Sequence, residues 1–242
     1  MKQKKSISII VISLIPICLA INVVGGNLAS ALKIPLYVDS IGTILIGMLC
    51  GPAIGCLTGA LTGVVSGIFS PIMFAYIPVT AIYGLAAGFL SKKKMMTSIP
   101  KLITSGIIIA LLGVVLSSPI TALVFGGITE TGQGVIITFL RATGLGVLPA
   151  TLISSFCTEF LDKLLSCIVC YIIVKGMSNR YLSKFHLGHI YLKEKKEKND
   201  LFDDDDIADE NTDKNTDKNT DSGEPQQEKY IDRGGDLWID RP

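Results

Sequence analysis

Long apolar runs separated by short polar segments fill the first 190 residues of the chain, and an almost wholly polar stretch follows them. A helix needs about 20 apolar residues to cross a bilayer. The charge-free run 41–68 is too long for one upright helix, and Gly51-Pro52 lies in its middle. Because proline is disfavoured inside a helix and favoured in its first turn, we expect a break there. The predicted spans are 6–24, 38–50, 52–69, 72–90, 102–125 and 147–174, an all-α membrane bundle of six transmembrane helices.

The distribution of positive charge favours six spans over five. Lysine and arginine accumulate on the cytoplasmic side of membrane proteins. With six spans and a cytoplasmic N-terminus, all three basic clusters face the cytoplasm. With five spans, two of them would face outwards. The clusters are Lys2, Lys4 and Lys5; Lys92, Lys93, Lys94 and Lys101; and Lys175, Arg180 and Lys184. The sequence therefore predicts a multi-pass protein of the cell membrane with both termini in the cytoplasm.

A glycine at every fourth position marks the second and third predicted spans. The glycines are Gly47, Gly51, Gly55, Gly59, Gly63 and Gly67, and Gly84 and Gly88 repeat the spacing in the fourth span. Small residues at this spacing let helix backbones approach closely in lipid. The stripe predicts tight packing within the bundle, docking of a partner membrane protein, or both.

Acidic residues divide the chain into two parts. Residues 1–190 form the predicted membrane domain. Its only acidic residues are Asp39, Glu130, Glu159 and Asp162. Residues 191–242 hold all the other acids and a repeated Asn-Thr-Asp-Lys segment. This low-complexity part cannot bury enough apolar surface to offset chain entropy, so we expect a disordered cytoplasmic tail.

Polar residues inside apolar spans are costly, so each of them is a candidate for function. They concentrate towards the predicted outer side. Tyr76, Thr80 and Tyr83 share one helix face, and Glu159 and Lys163 are spaced to pair within one turn. Asp39 has no partner nearby in the sequence, and we expect Arg141 or Lys163 to supply one. The predicted substrate-binding residues are Asp39, Ser40, Thr43, Tyr76, Thr80, Tyr83, Glu130, Arg141, Glu159 and Lys163.

Motifs of enzymes are missing from these spans. The sequence has no HExxH, GxSxG or P-loop, and its two histidines follow the last span. Its six cysteines lie in apolar runs, where they are expected to pack as small apolar residues. The sequence therefore predicts a protein in contact with lipid that is not an enzyme. It predicts no cofactor, no metal site and no nucleic-acid partner.

One segment resembles a known family. Val38-Asp39-Ser40-Ile41-Gly42-Thr43, followed by Gly51-Pro52 and a glycine-rich helix, is similar to the substrate-binding (S) component of energy-coupling factor (ECF) transporters. The six-helix count and the Glu159 to Lys163 segment fit this resemblance, which covers about residues 5–190. Many members carry an Ala-xxx-Ala stripe in the first helix for docking the scaffold, and this chain lacks it.

The resemblance implies a fold, partners and a type of ligand. An S component captures a vitamin or a related micronutrient from outside, in a pocket of later helices and outer loops. It then works with a membrane scaffold (T) subunit and two cytoplasmic ATPase subunits. The sequence does not identify the solute, although Tyr76 and Tyr83 beside Glu159 and Lys163 suggest a neutral or zwitterionic aromatic compound.

Two other classes of protein remain open. Input domains of membrane sensors are also small helical bundles with polar outer loops, but they usually continue into a folded signalling domain. A standalone secondary transporter would be favoured by inverted repeats, and the two halves of this sequence show no convincing repeat.

Overall fold

The computed structural model describes residues 9–129 and 131–192, and all regular structure within them is helical. The helices are α1 (Ile9–Ala31), α2 (Ile41–Cys50), α3 (Pro52–Phe69), α4 (Ile77–Lys92), α5 (Ile99–Pro119), α6 (Gln133–Ala142), α7 (Val147–Gly176) and α8 (Asn179–Leu182). A 3₁₀ segment, Pro71–Tyr76, leads into α4, and a π-helical turn, Ile120–Val124, continues α5. A second 3₁₀ segment is Gly188–Tyr191. The predicted disordered tail, from residue 193 onwards, and the N-terminal lysines lie outside the described residues.

Four helical segments are long and apolar enough to cross a membrane by length and composition, which supports a membrane location. They are Ile9–Ala31, Pro52–Phe69, Pro71–Lys92 and Ile99–Val124. The other two predicted spans do not meet the same description. α2 has only 10 residues, and the 30-residue α7 carries three charged side chains near its middle. Each of the six predicted spans contains a helix among the described residues, but six crossings do not follow from length and composition alone.

The break at Gly51-Pro52 is confirmed. Gly51 has a φ of 98°, a conformation that glycine adopts without steric cost, and Pro52 opens α3. A Cβ atom on Gly55 would lie 2.9 Å from the Cα of Gly47, so α3 packs directly back against α2. These two helices therefore form a tight helical hairpin.

The glycine stripe packs α3 against α4. A Cβ atom on Gly59 would lie 2.7 Å from the carbonyl carbon of Thr80, and one on Gly63 would lie 3.0 Å from the Cα of Ile77. On α4, a Cβ atom on Gly84 would lie 2.9 Å from the Thr43 side chain of α2. These glycines are buried within the bundle. Internal packing is thus confirmed, and other helices of the bundle already cover these glycines.

Asn22 ties the first helix to this hairpin. Its side chain is fully buried inside the otherwise apolar α1. It donates hydrogen bonds to the hydroxyl oxygens of Thr43 (2.8 Å) and Thr62 (3.1 Å), and it accepts one from the backbone of Gly42 (2.7 Å). α1 is continuous across Pro16.

The segment between α5 and α7 contains a helix that the sequence did not predict. We expected a loop carrying Thr129 to Arg141, but α6 occupies most of it. Gln133 and Ile137 are almost completely buried, and the helix packs on α7. The reason is that α6 is amphipathic and short, so its apolar face does not stand out beside the long apolar spans.

The 3₁₀ segment Gly188–Tyr191 and the residue before it cover the ends of α2 and α4. The backbone N–H of Leu187 donates to the carbonyl of Leu49 at 2.9 Å, and the Tyr191 hydroxyl shares a 2.7 Å hydrogen bond with Ser91. Burial raises the pKa of Tyr191 to about 12. This segment therefore fixes the end of the bundle at which α2 and α4 finish.

Replacing Gly59 by alanine should lower the free energy of unfolding by about 1–3 kcal/mol, because the new methyl group meets backbone and the two helices must separate. Gly176→Ala is the matched control, since nothing lies within 4 Å of a Cβ atom there. Its stability should be unchanged or slightly raised. Thermal unfolding of the purified variants in detergent measures both effects, and equal stabilities would contradict the proposed contact.

Candidate functional site

A small cavity lies between α4, α5, α7 and the segment that joins α1 to α2. It encloses about 50 Å³. Six of the ten predicted substrate-binding residues line it, namely Asp39, Tyr76, Thr80, Tyr83, Glu159 and Lys163. The sequence therefore located six of the residues that line this cavity.

Three charged residues of α7 lie within one helical turn beside the cavity. Glu159, Asp162 and Lys163 follow the i, i+3, i+4 spacing, which brings them to one face of the helix. All three are at most 1% exposed. Ionised groups buried to this degree persist only when they are paired and hydrogen-bonded.

Asp162 is the most fully satisfied of the three. One carboxylate oxygen accepts hydrogen bonds from the backbone N–H groups of Tyr37 (3.2 Å) and Val38 (2.8 Å). The other lies 2.6 Å from the Lys163 ammonium and accepts a longer bond from Ser40 (3.4 Å). This carboxylate fastens the segment before α2 onto α7.

The Lys163 ammonium is fully buried and is surrounded by polar and aromatic groups. It donates to the Ser40 hydroxyl at 3.0 Å and lies 3.5 Å from Glu159 Oε2. It also sits 4.2 Å from the ring centre of Tyr83 and 5.7 Å from that of Tyr37, within the range of cation–π attraction. The predicted Glu159–Lys163 pair is confirmed, but the shorter partner is Asp162.

Asp39 does not form the ion pair that we expected. Among the described residues, the ion pairs are those of Lys163 with Asp162 and with Glu159. Neither Arg141 nor Lys163 lies within ion-pair distance of Asp39, because Asp162 and Glu159 already hold the lysine. One Asp39 oxygen, Oδ1, is buried without a hydrogen-bond partner.

Glu159 uses one oxygen and leaves the other free of hydrogen bonds. Oε1 accepts from the hydroxyl groups of Tyr83 (2.9 Å) and Ser117 (3.3 Å). Oε2 is buried and has no hydrogen-bond partner. Gly113 of α5 makes room for this arrangement, since a Cβ atom there would lie 2.6 Å from Oε2.

Aromatic and amide groups complete the cavity wall. Tyr76 shares a 2.7 Å hydrogen bond with Thr121 and stacks on Phe125. The Tyr37 hydroxyl donates to the side-chain oxygen of Gln133, whose amide in turn donates to Ser155 at 2.8 Å. Tyr37 lies in the segment before α2, and burial raises its pKa well above the usual value. Its hydroxyl thus stays protonated and keeps donating.

The remaining predicted residues lie elsewhere. Ser40 is buried behind Lys163, and Thr43 is bonded to Asn22, so neither lines the cavity. Arg141 is exposed at the end of α6, in a separate outer groove. None of these three residues lines the cavity. Sequence spacing does not show which polar groups already serve as partners within the bundle. Glu130 lies outside the described residues.

Sequence reasoning missed Tyr37, Ser117 and Gln133 as part of this wall, and it gave Asp162 no role. Ser117 is unremarkable in an apolar span, because its hydroxyl can bond to its own helix. Tyr37 and Gln133 lie outside the predicted spans, where polar residues are ordinary. The signal available for Asp162 was its charge inside a span.

The described residues contain no cluster of three or more His, Cys, Asp or Glu side chains arranged to hold a metal ion. Comparison with protein-family models, with curated proteins and with solved structures gives no match for this chain. The geometry of the cavity is therefore the basis for assigning a function.

Asp162→Asn should lower the free energy of unfolding by about 3–5 kcal/mol, because it leaves the buried Lys163 ammonium without its nearest counter-charge. Asparagine can still accept the backbone hydrogen bonds of Tyr37 and Val38. Removing the lysine as well, in Asp162→Asn/Lys163→Met, should therefore restore part of the loss. Thermal unfolding in detergent measures both variants. A double variant as unstable as the sum of the single changes would contradict the ion pair.

Proposed function

We propose that this protein is the membrane-embedded substrate-specificity subunit of an ECF-type ATP-driven importer, which captures a vitamin or a related micronutrient from outside. The observation that carries the proposal is the cavity itself, in which aromatic rings and carboxylate oxygens without hydrogen-bond partners face one space inside an apolar helical bundle. Ligand sites are typically apolar hollows with a few convergent polar groups.

The position of the charges supports binding over a purely structural role. Three acids and a lysine within a membrane-embedded bundle are expensive, and such residues in membrane proteins usually mark pathways or sites for solutes. A structural role accounts for Asp162, whose hydrogen bonds hold the segment before α2. It does not account for Asp39 Oδ1 and Glu159 Oε2, which have no hydrogen-bond partner.

The same proposal includes six membrane crossings with both termini in the cytoplasm. The α2–α3 hairpin supplies two crossings, with the short α2 extended by the segment that begins near Val38, and α7 supplies the last. The cavity then opens towards the loops 32–40 and 125–132 on the outer side. The lysines at the end of α4 then face the cytoplasm, as the distribution of positive charge favours.

The proposed partners are a membrane scaffold (T) subunit and two cytoplasmic ATPase subunits. The glycine stripe is not their docking surface, because it is buried between α2, α3 and α4. Large apolar side chains exposed along α1, such as Ile12, Ile17 and Val24, are free to contact either lipid or a scaffold.

Purification through a tag on the tail, in mild detergent from native membranes, should recover a membrane scaffold and two ATPases together with this protein. Mass spectrometry identifies them, and an unrelated multi-pass protein with the same tag is the control. Recovery of the protein alone, even after chemical cross-linking, would contradict the proposed assembly and would favour a solitary transporter or a sensor.

Single cysteines at Lys93 and Arg141, in a variant without the native cysteines, should report opposite sides of the membrane. Both positions are exposed. A membrane-impermeant maleimide should label Arg141→Cys in intact cells, and Lys93→Cys only after permeabilisation. Labelling of both positions in intact cells would refute the six-span topology.

A further inference from the structure

The acids of the cavity outnumber its single base. Asp162 lies 2.6 Å from Lys163 and has all its lone pairs directed at donors, so these two residues neutralise each other. Glu159 is 3.5 Å from the same ammonium, and Asp39 has no ion pair among the described residues. Carboxyl groups therefore outnumber ammonium groups on the cavity wall.

Two oxygens of these carboxyl groups have no hydrogen-bond partner. Asp39 Oδ1 and Glu159 Oε2 are buried and lack a hydrogen-bond partner, and both residues line the cavity. Glu159 is only 1% exposed. A buried acceptor without a donor destabilises the folded state, so native structures rarely keep one without a reason. The simplest group that satisfies both oxygens is a ligand with a positive charge and N–H donors.

We infer that the cavity takes an organic cation, an ammonium or amidinium group on an aromatic or apolar body, with Asp39 and Glu159 as its counter-charges. This inference rests on the proposed function, because it assumes that the cavity receives a solute. It replaces the neutral or zwitterionic solute expected from the sequence, since Lys163 belongs to Asp162 and is not available to an anionic group.

The rest of the wall suits an organic body better than a bare metal ion. The rings of Tyr76 and Tyr83 and the side chains of Ile72, Met73 and Val79 face the same space. Aromatic faces attract ammonium groups, and apolar side chains gain from covering a hydrocarbon. An inorganic cation would instead need several oxygen ligands in a regular shell.

Entry of a ring-sized ligand requires two hollows to merge. A second hollow of about 100 Å³ lies beside the cavity, and Tyr37, Asp39, Met73 and Thr131 line both. A cavity of about 150 Å³ accepts benzene, so neither hollow alone is large enough. A shift of the Met73 side chain, which is unbranched and adaptable, would join them with Asp39 at the boundary.

The test uses the full-length protein in lipid nanodiscs and four probes, namely benzylammonium, benzyl alcohol, benzoate and sodium chloride. Ligand-observed NMR measures binding, and empty nanodiscs correct for partition into lipid. Benzylammonium should bind, while benzyl alcohol and benzoate should bind at least about tenfold more weakly, as expected when charge-assisted hydrogen bonds are lost.

Two variants locate the effect. In Glu159→Gln the amide oxygen still accepts from Tyr83 and Ser117, but a donor replaces the free acceptor. This variant and Asp39→Asn should each weaken benzylammonium about tenfold or more. Lys101→Gln is the control, because it also changes the net charge by one unit but lies on the exposed start of α5. Its affinity should match that of the unaltered protein.

The outcomes separate this inference from the proposed function. Equal binding of benzyl alcohol or benzoate, or no effect of Glu159→Gln and Asp39→Asn, overturns the cationic ligand and leaves solute capture intact. Sodium that binds in this cavity and excludes benzylammonium also overturns it. Binding by none of the probes overturns both the ligand class and capture in this cavity, whereas co-purification tests the partners independently.

Discussion

The hydrogen bonds around the Asp162 carboxylate hold the segment before α2 against α7. Two backbone N–H groups of the segment before α2 donate to one oxygen, and Lys163 and Ser40 contact the other. In an interior of low polarity such contacts are strong, and the loss of one partner leaves a buried charge uncompensated. The segment carrying Tyr37 and Asp39 is thereby placed against α7. Without that contact the cavity would have no wall on the side of α1.

Close helix packing supplies the other wall. The glycines of α3 draw α4 in until backbones touch, which places Tyr83 within reach of Glu159. Gly113 leaves room for the Glu159 carboxylate on the side of α5, because any side chain there would occupy the position of that carboxylate. The small residues therefore do not only allow the helices to associate in lipid. They set the distances between the charged and aromatic groups of the site.

The sequence predicted the helices well because a membrane span has a strong one-dimensional signal, and Gly51-Pro52 placed the single difficult boundary. It predicted the site less completely. The partner of Asp39 was wrong because Lys163 is held by Asp162, its neighbour in the chain, and adjacent helical residues are not expected to face each other. The long lysine side chain overcomes that spacing. Ser40 and Thr43 were predicted to bind substrate for a related reason. Their hydrogen-bond partners, Lys163 and Asn22, lie on other helices and cannot be recognised from the neighbouring sequence.

The cavity is too small for a ring-shaped solute, so binding of such a solute would require movement of the cavity wall. The structure contains two segments that depart from α-helical geometry. Pro71–Tyr76 is a 3₁₀ segment and Ile120–Val124 is a π-helical turn, and the two meet through the hydrogen bond between Tyr76 and Thr121. Such departures from α-helical geometry inside long helices often mark hinges. Met73, which lines both hollows, lies on the first of these segments. A solute that donated to Asp39 Oδ1 and Glu159 Oε2 would supply the hydrogen bonds that these two oxygens lack, and this gain is available only in a state that admits the solute.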